Sequence, residues 1–466
     1  MAGAQAMVPD APVASPRLSF WQRCVYGLGD MALAIRQTAF QFALLPFFTD
    51  VVMLAPWLAG LGKMLGLVWD GVNDPITGYV SDRTRTRIGR RRPFLIAAAI
   101  PMGVTFALLW MPPANMTSLV AFAYMVLAYL VLDTCFTLYA TPYMALGAEL
   151  TDDYHERTQL SAARSFFHVI GLLLGGTLPF VLLKAYPGDP AGGYAMMGIV
   201  IGALMTCIAL VTGLGVRERP TRGDVASNET ASLRSFVSGL GTTLQNRAFR
   251  IMMVTFGVIQ LGGGIHQTLV PYAFQYWLGR KDMVGTVIAV YMASFLVSIP
   301  LWTHLSKRLG KDRALKLCML WAAIALTSLP FVLSPDMGNL RLGVVLVLAG
   351  LGNGGWAVMP VAITADIIDT DELETRSRRE GAYFGLWTLV LKLAMGLASG
   401  VVGIGLQVVG YVPNVEQSET AILGIRMLYG PVPAMFLLLG LVLFRRFPLT
   451  RERHAEVQAA LVARRG

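Results

Sequence analysis

Charge is scarce in this 466-residue chain: Asp, Glu, Lys and Arg make up only 14% of it, against 55% hydrophobic residues, and the mean hydropathy is +0.58. No soluble domain needs that much apolar surface, which excludes a water-soluble enzyme or binding module. Cysteine is sparse too. Cys24, Cys135, Cys207 and Cys318 lie far apart, the last three in apolar segments, so neither a disulfide framework nor a metal cluster is indicated. His168, His266 and His304 have no ligand-like spacing and read as core or boundary residues. The phosphate-binding pattern Gly-x-x-x-x-Gly-Lys-Ser/Thr is missing, so ATP is not the evident energy source, and Gly262 to Gly264 reads as a flexible bend in a helix. Residues 1–19 are rich in Ala, Pro and Ser and lack the layout of a secretory signal; nothing there looks cleaved. No nucleophile, base and oxyanion-donor set is apparent, so an enzyme is not expected.

What is present is apolar sequence in long runs. About twelve segments reach the roughly 20 residues a helix needs to cross a hydrocarbon core of about 30 Å. They run from about Tyr26 to Phe48, Trp57 to Val80, Pro93 to Trp110, Thr117 to Met144, Ala162 to Leu183 and Tyr194 to Val216, and then near 249–278, 284–305, 315–333, 341–365, 383–408 and 422–444. The fold expected is an all-α membrane protein of twelve transmembrane helices in two six-helix bundles. Residues 20–216 and 248–446 form the bundles, 217–247 a polar linker with at most a short surface helix, and 1–19 and 447–466 the tails.

The formal charge is +10, but the basic residues collect in short connections without aromatic interleaving. That is topology-setting charge rather than a nucleic-acid site. One set of connections carries Arg83 to Arg92, the linker arginines, Lys307 to Arg313 and Arg376 to Arg379. By the positive-inside rule this set is cytoplasmic, with both termini. An internal repeat at an offset of about 220 residues supports the two-bundle reading. Gly78 to Arg92 is echoed by Leu305 to Arg313, and Ala148 to Asp152 by Ala365 to Asp369. Asp82, Arg83, Asp152, Asp366 and Asp369 in these paired loops are the candidate cytoplasmic gate.

Two carboxylates interrupt the second apolar segment. Asp70 and Asp74 are four residues apart and lie on one face of a helix, in a stretch whose other charge is Lys63. Each such group costs roughly 2.5 to 3.5 kcal/mol at a helix centre, so such residues face a cavity, a partner charge or an ion path. The pair is a candidate cation site for Na⁺ or H⁺; the structural alternative ties it to Lys63 or Lys392 in a fixed polar knot. Asp30, Arg36 and Asp133 are further isolated intramembrane charges. Asp30 and Arg36 share no helix face and seek partners on other helices. Asp133 either lines the substrate path or is hydrated near the outer interface. Tyr139, Tyr143, Trp356 and Trp387 are either sugar-stacking or packing aromatics. Gly171 with Gly175, and Gly396 with Gly400, match close helix packing.

The runs Tyr26 to Asp30, Phe48 to Val52, Trp69-Asp70 with Asn73-Asp74-Pro75, Ser81 to Arg85, Gly89 to Pro93, Ala365 to Asp369 and Gly410 to Asn414 resemble the glycoside-pentoside-hexuronide:cation symporters. These are the melibiose-permease relatives within the major facilitator superfamily, and the resemblance covers nearly the whole chain. It implies that Asp70, Asp74, Asn73 and Thr137 hold the coupling cation, that Lys392 is their charge partner, and that Arg164 lies near the sugar. With it, Asp30, Asp133, Tyr143 and Trp356 complete a candidate substrate site. The chain departs from the melibiose pattern where sugar is read: Leu33 and Ala34 replace a Lys-Asp pair, Ala140 an aspartate and Met144 a tryptophan. The expected function is a monomeric cation:sugar or glycoside symporter of a bacterial inner membrane, working without cofactor other than the coupling ion. The alternatives are a lysolipid symporter and a membrane sensor that binds solute without moving it.

Overall fold

The computed structural model describes residues 18–151, 153–216, 218, 241, 243–375, 379–449 and 451–465. All regular elements among them are helices: α1 Phe20–Pro46, α2 Pro56–Arg83, α3 Arg92–Leu109, α4 Ser118–Glu149, α5 Tyr154–Leu183, α6 Pro190–Gly215, α7 Arg247–Tyr272, α8 Val284–Leu309, α9 Lys311–Val332, α10 Asn339–Leu351, α11 Gly355–Thr375, α12 Glu380–Val408, α13 Glu419–Tyr429, α14 Pro431–Phe444 and α15 Arg451–Arg465. Ten spans among the described residues are long and apolar enough to cross a membrane. Several helices open on conventional signals. Ser19 and Gln22 form a reciprocal capping box at α1, while Pro56 and Pro190 sit at helix starts where a missing N–H costs nothing.

Two apolar segments differ from the sequence expectation. The tenth apolar segment breaks into α10 and α11 across a turn at 352–354, and the twelfth breaks at Gly430 into α13 and α14. Within the 447–466 tail, the chain from Arg451 to Arg465 is a helix. It buries Val457 and Leu461, and its Gln458 donates to Asp369 at 2.7 Å and Arg464 to the Leu373 carbonyl at 3.0 Å. Its apolar stripe is short and widely spaced, which a scan for membrane-length runs passes over. The linker 217–247 lies largely outside the described residues.

The glycines at 262–264 do not interrupt α7, which runs unbroken from Arg247 to Tyr272. The role of Gly262 and Gly264 is close approach: a Cβ on Gly262 would lie 2.9 Å from the Pro433 carbonyl oxygen, and one on Gly264 2.7 Å from the Ala398 methyl. Gly171 and Gly175 bring α5 onto the backbone of α1, with a Cβ 2.5 Å from Met31 O and 2.2 Å from Ile35 O. Gly396 and Gly400 are less constrained, at ordinary contact distance from Leu67 and Met64. The tight crossing of the α2–α12 pair is instead at Gly60 and Gly403, where added carbons would meet Ser399 O at 2.5 Å and Pro56 O at 2.3 Å.

The two halves of the chain meet through α2 on α12, α1 on α7 and α5 on α8. Most of the charged residues that interrupt the apolar segments lie on these helices, Asp133 on α4 being the exception. Their close backbone approach brings those charges within reach of one another.

Because Gly175 has no room for a side chain, Gly175→Leu is expected to separate α1 from α5. Overpacking of this kind costs about 1–3 kcal/mol or more. A melting temperature in detergent lower by several degrees would bear this out; an unchanged one would show that the helices do not depend on this contact.

Candidate functional site

Asp70 and Asp74 share a face of α2, and Lys392 of α12 reaches both. Its Nζ lies 2.9 Å from Asp70 Oδ2 and 2.5 Å from Asp74 Oδ2. The knot is therefore made with Lys392; the Nζ of Lys63 is buried and has no hydrogen-bond partner among the described residues. Thr137 of α4 is fully buried, with its hydroxyl 3.5 Å from Asp70 Oδ1. One turn away the Trp69 indole donates to Thr134 at 3.1 Å, which fixes α2 against α4. Asn73 is buried, accepts from the Thr77 hydroxyl at 3.4 Å, and leaves its amide nitrogen unpartnered among the described residues. Two carboxylates and one ammonium leave one negative charge in excess, and the Asp74 side chain is 37% exposed. The arrangement can accept one monovalent cation from solvent. Its oxygens are hard ligands that suit Na⁺ and H⁺ alike.

The isolated charges find partners on other helices. Asp30 of α1 is 3.1 Å from Arg164 Nε and 3.4 Å from His168 Nδ1, both on α5, and the Arg164 side chain is 37% exposed. Arg36 of α1 pairs with Asp133 of α4, and its guanidinium lies 3.8 Å from the Phe136 ring centroid. Asp133 is wholly buried and so is not hydrated at an interface. Tyr143 is not brought to a cavity. It is fully buried, stacks on Tyr26 and Tyr139, and donates to the Tyr26 carbonyl at 2.9 Å. Trp387 stacks on Phe256 at 3.6 Å, and His266 is buried against the Tyr429 carbonyl at 2.8 Å. Trp356 borders a cavity of about 230 Å³ between the halves, together with Gln37, Gln260, Gln267 and Asn353. Sequence reading passed over these four amides, which carry no charge to mark them inside an apolar run.

At one end of the molecule the halves are locked together. α1 continues past Pro46 into a π-helical turn, Phe47–Val51, and α7 into a matching one, Ala273–Trp277. Asp50 in the first turn accepts from Tyr276 at 2.7 Å, from Gln275 at 3.4 Å and from Tyr411 at 2.6 Å. Asn414 donates to the Asp50 carbonyl at 2.5 Å, and Thr49 meets the Tyr272 hydroxyl at 2.8 Å. Burial raises the Tyr411 phenol above its ordinary range, so it stays protonated and donates. The runs around Asp50 and Tyr411 both belong to the resemblance described above; that they meet could not be read from either.

The candidate gate residues lie at the opposite, basic end, where each cluster is built from its own half. Asp82 pairs with Arg91, which also meets Glu149 at 3.2 Å, and Arg90 meets Glu149 at 2.6 Å. Arg83 stacks over Tyr79 at 3.8 Å. In the other half Asp366 accepts from Lys311 at 2.6 Å, and His454 of α15 lies 3.3 Å from Asp366 and 3.5 Å from Asp369. Asp152 lies outside the described residues.

A bundle of membrane-length helices, closed at one end and holding accessible charges at its centre between two halves, defines the major facilitator class of membrane transporter. Residues 25–451 match the family described as MFS/sugar transport protein, and the chain belongs to it. It is similar to an uncharacterised symporter of Synechocystis sp., 27% identical over 97% of this chain and 98% of that protein. It is also similar to the sodium-dependent lysophosphatidylcholine symporter 1-A of Danio rerio, 26% identical over 94% and 87%. Among solved structures, the xylose transporter XylE from E. coli shares the fold with a TM-score of 0.65, at 14% identity over 94% of this chain and 99% of that one.

Arg36→Met would leave Asp133 buried without a counter-charge, a change that costs about 3–5 kcal/mol. Thermal unfolding should show a large loss in this variant and recovery of most of it in Arg36→Met with Asp133→Leu. A single variant as stable as the native chain would mean that the pair does not hold α1 to α4.

Proposed function

We propose that this chain is a cation-coupled symporter that carries an amphipathic lysolipid by alternating access. The Asp70–Lys392–Asp74 cluster is the observation that carries the coupling: one excess negative charge, shared between the two halves and open to solvent. A Na⁺ ion or proton there competes with Lys392 for the carboxylates and so changes what holds α2 to α12. The membrane potential would add roughly 2.3 kcal/mol per charge per 100 mV to inward movement.

Three features support the lysolipid. Leu33, Ala34, Ala140 and Met144 are apolar where the melibiose pattern has charge and an aromatic ring. The half-exposed Arg164 offers a guanidinium to a phosphate. A relative of similar length, the Danio rerio protein, is a sodium-dependent lysophosphatidylcholine symporter. A sugar or glycoside is the second reading, supported by Gln37, Gln260, Gln267, Asn353 and Trp356 around one cavity. Neutral amides beside an aromatic ring suit hydroxyl groups rather than phosphates.

The remaining assignments belong to the same proposal: twelve membrane crossings in two six-helix bundles, both tails on the cytoplasmic side of a bacterial inner membrane, a monomer, and membership of the glycoside-pentoside-hexuronide:cation symporters. With the basic end cytoplasmic, Asp50 and its partners are the outer gate and the state described opens inward. The clusters at Asp82, Arg83, Asp152, Asp366 and Asp369 would then engage across the halves when the outer side opens.

Proteoliposome uptake separates these readings. A labelled lysophospholipid is expected to accumulate against its gradient when Na⁺ or a proton gradient is imposed, and to do so at least tenfold less with Asp70→Asn or Asp74→Asn. Sugar accumulation instead would favour the second reading, and full activity in both variants would remove the coupling role from the pair. Asp50→Ala should loosen the outer gate and speed amide hydrogen exchange in residues 47–54 and 273–280; unchanged exchange would count against the gate.

A further inference from the structure

Asp133 is fully buried on α4, four residues before Thr137 and so on the same helix face. Thr137 is the residue of α4 whose hydroxyl reaches Asp70. Among the described residues Asp133 uses only one of its oxygens: Oδ1 takes Arg36 Nη2, while Oδ2 has no partner. Arg36 in turn leaves its Nε unpartnered. A guanidinium and a carboxylate that serve only to clamp two helices usually meet at two points, which satisfies both oxygens. Here the contact has one point, and a buried carboxylate oxygen remains on the face that carries Thr137.

The two charge pairs are also one electrostatic unit. Asp70 acts on both Arg36 and Asp133, and Lys392 acts on Asp133. Asp70, Asp74 and Asp133 against Arg36 and Lys392 leave one negative charge over five groups. A single monovalent cation would neutralise all of them.

We propose that Asp133 is a third carboxylate of the cation site, sharing the ion with Asp70 through the oxygen that Arg36 leaves free. The inference rests on the cation-coupled reading above and goes beyond it. The ion would be held by oxygens of α2 and α4, with Thr137 between the two acids, while Lys392 of the other half is released to move. Arg36 becomes a positioning residue that orients Asp133 and limits the charge available to the ion.

The test is Na⁺-dependent thermal stabilisation of the purified protein, with choline chloride holding ionic strength constant. A ligand that binds the folded state raises its melting temperature according to its affinity. Asp133→Asn keeps an acceptor for Arg36 and the shape of the side chain. It is expected to need at least tenfold more Na⁺ for the half-maximal effect, whereas Asp70→Asn loses the effect. A shift of threefold or more supports the proposal; a smaller one, with Asp70→Asn still silent, overturns it and leaves the coupling pair intact. A native Na⁺ response in Asp70→Asn would instead sink the cation-coupled reading. A purely structural Asp133 would lower the melting temperature equally at every salt concentration without moving the Na⁺ dependence. Should Asp133→Asn fail to fold, the double variant Arg36→Met with Asp133→Leu is scored by the same thresholds. If the native protein responds to pH rather than Na⁺, the midpoint of that response is the readout, and an unshifted midpoint in Asp133→Asn overturns the proposal.

Discussion

A charge placed in hydrocarbon must find a counter-charge, and that constraint organises this molecule. Asp70 and Asp74 meet Lys392, Arg36 meets Asp133, and Asp30 meets Arg164. None of these pairs lies within one helix. Each joins α2 to α12, α1 to α4 or α1 to α5, so the same contacts that make the charges tolerable also decide which helices are neighbours. Glycines then set how close those neighbours come. Gly60 against Gly403 and Gly175 against Ile35 bring backbones together, and side chains as short as aspartate reach across.

The pairs differ in what they can do. Arg36 and Asp133 are sealed inside one half, where separating them is expensive. Lys392 lies between halves and beside solvent, so its carboxylate partners can exchange it for a cation at lower cost. A transporter needs both kinds: fixed pairs that keep each half rigid, and exchangeable ones at the surface along which the halves move. The closed end has a parallel construction. A π-helical turn directly after Pro46 presents Asp50 from one half to hydroxyl and amide donors of the other, from the matching turn at Ala273–Trp277 and from Tyr411. Neutral donors on one carboxylate can be released to water without stranding a second charge.

Under the proposed function, substrate chemistry would be divided between two places. Arg164 with Asp30 offers charge, and the cavity at Trp356 offers neutral amides. An amphipathic molecule with a polar head satisfies the first; a sugar satisfies the second. The apolar replacements at Leu33, Ala34, Ala140 and Met144 tip the balance towards the first.

Hydropathy by itself determined that the chain is an all-helical membrane protein, because apolar runs of membrane length have no other stable fate in lipid. It also singled out Asp70, Asp74, Asp30, Arg36 and Lys392, because an ionised group in such a run is visible as an exception. Uncharged groups carry no such mark, so Gln37, Gln260 and Asn353 stayed hidden, as did the breaks at 352–354 and Gly430. Tyr143 illustrates the converse: its ring is as suited to stacking on a ligand as on Tyr26, and burial chose the latter. Only the tertiary structure decided partners. Lys63 and Lys392 are equal candidates for Asp70 along the chain, and Asp50 gives no hint of Tyr411, 361 residues away. Periodicity reports which face of a helix a residue occupies, whereas the identity of the facing helix depends on how twelve or more such faces pack at once.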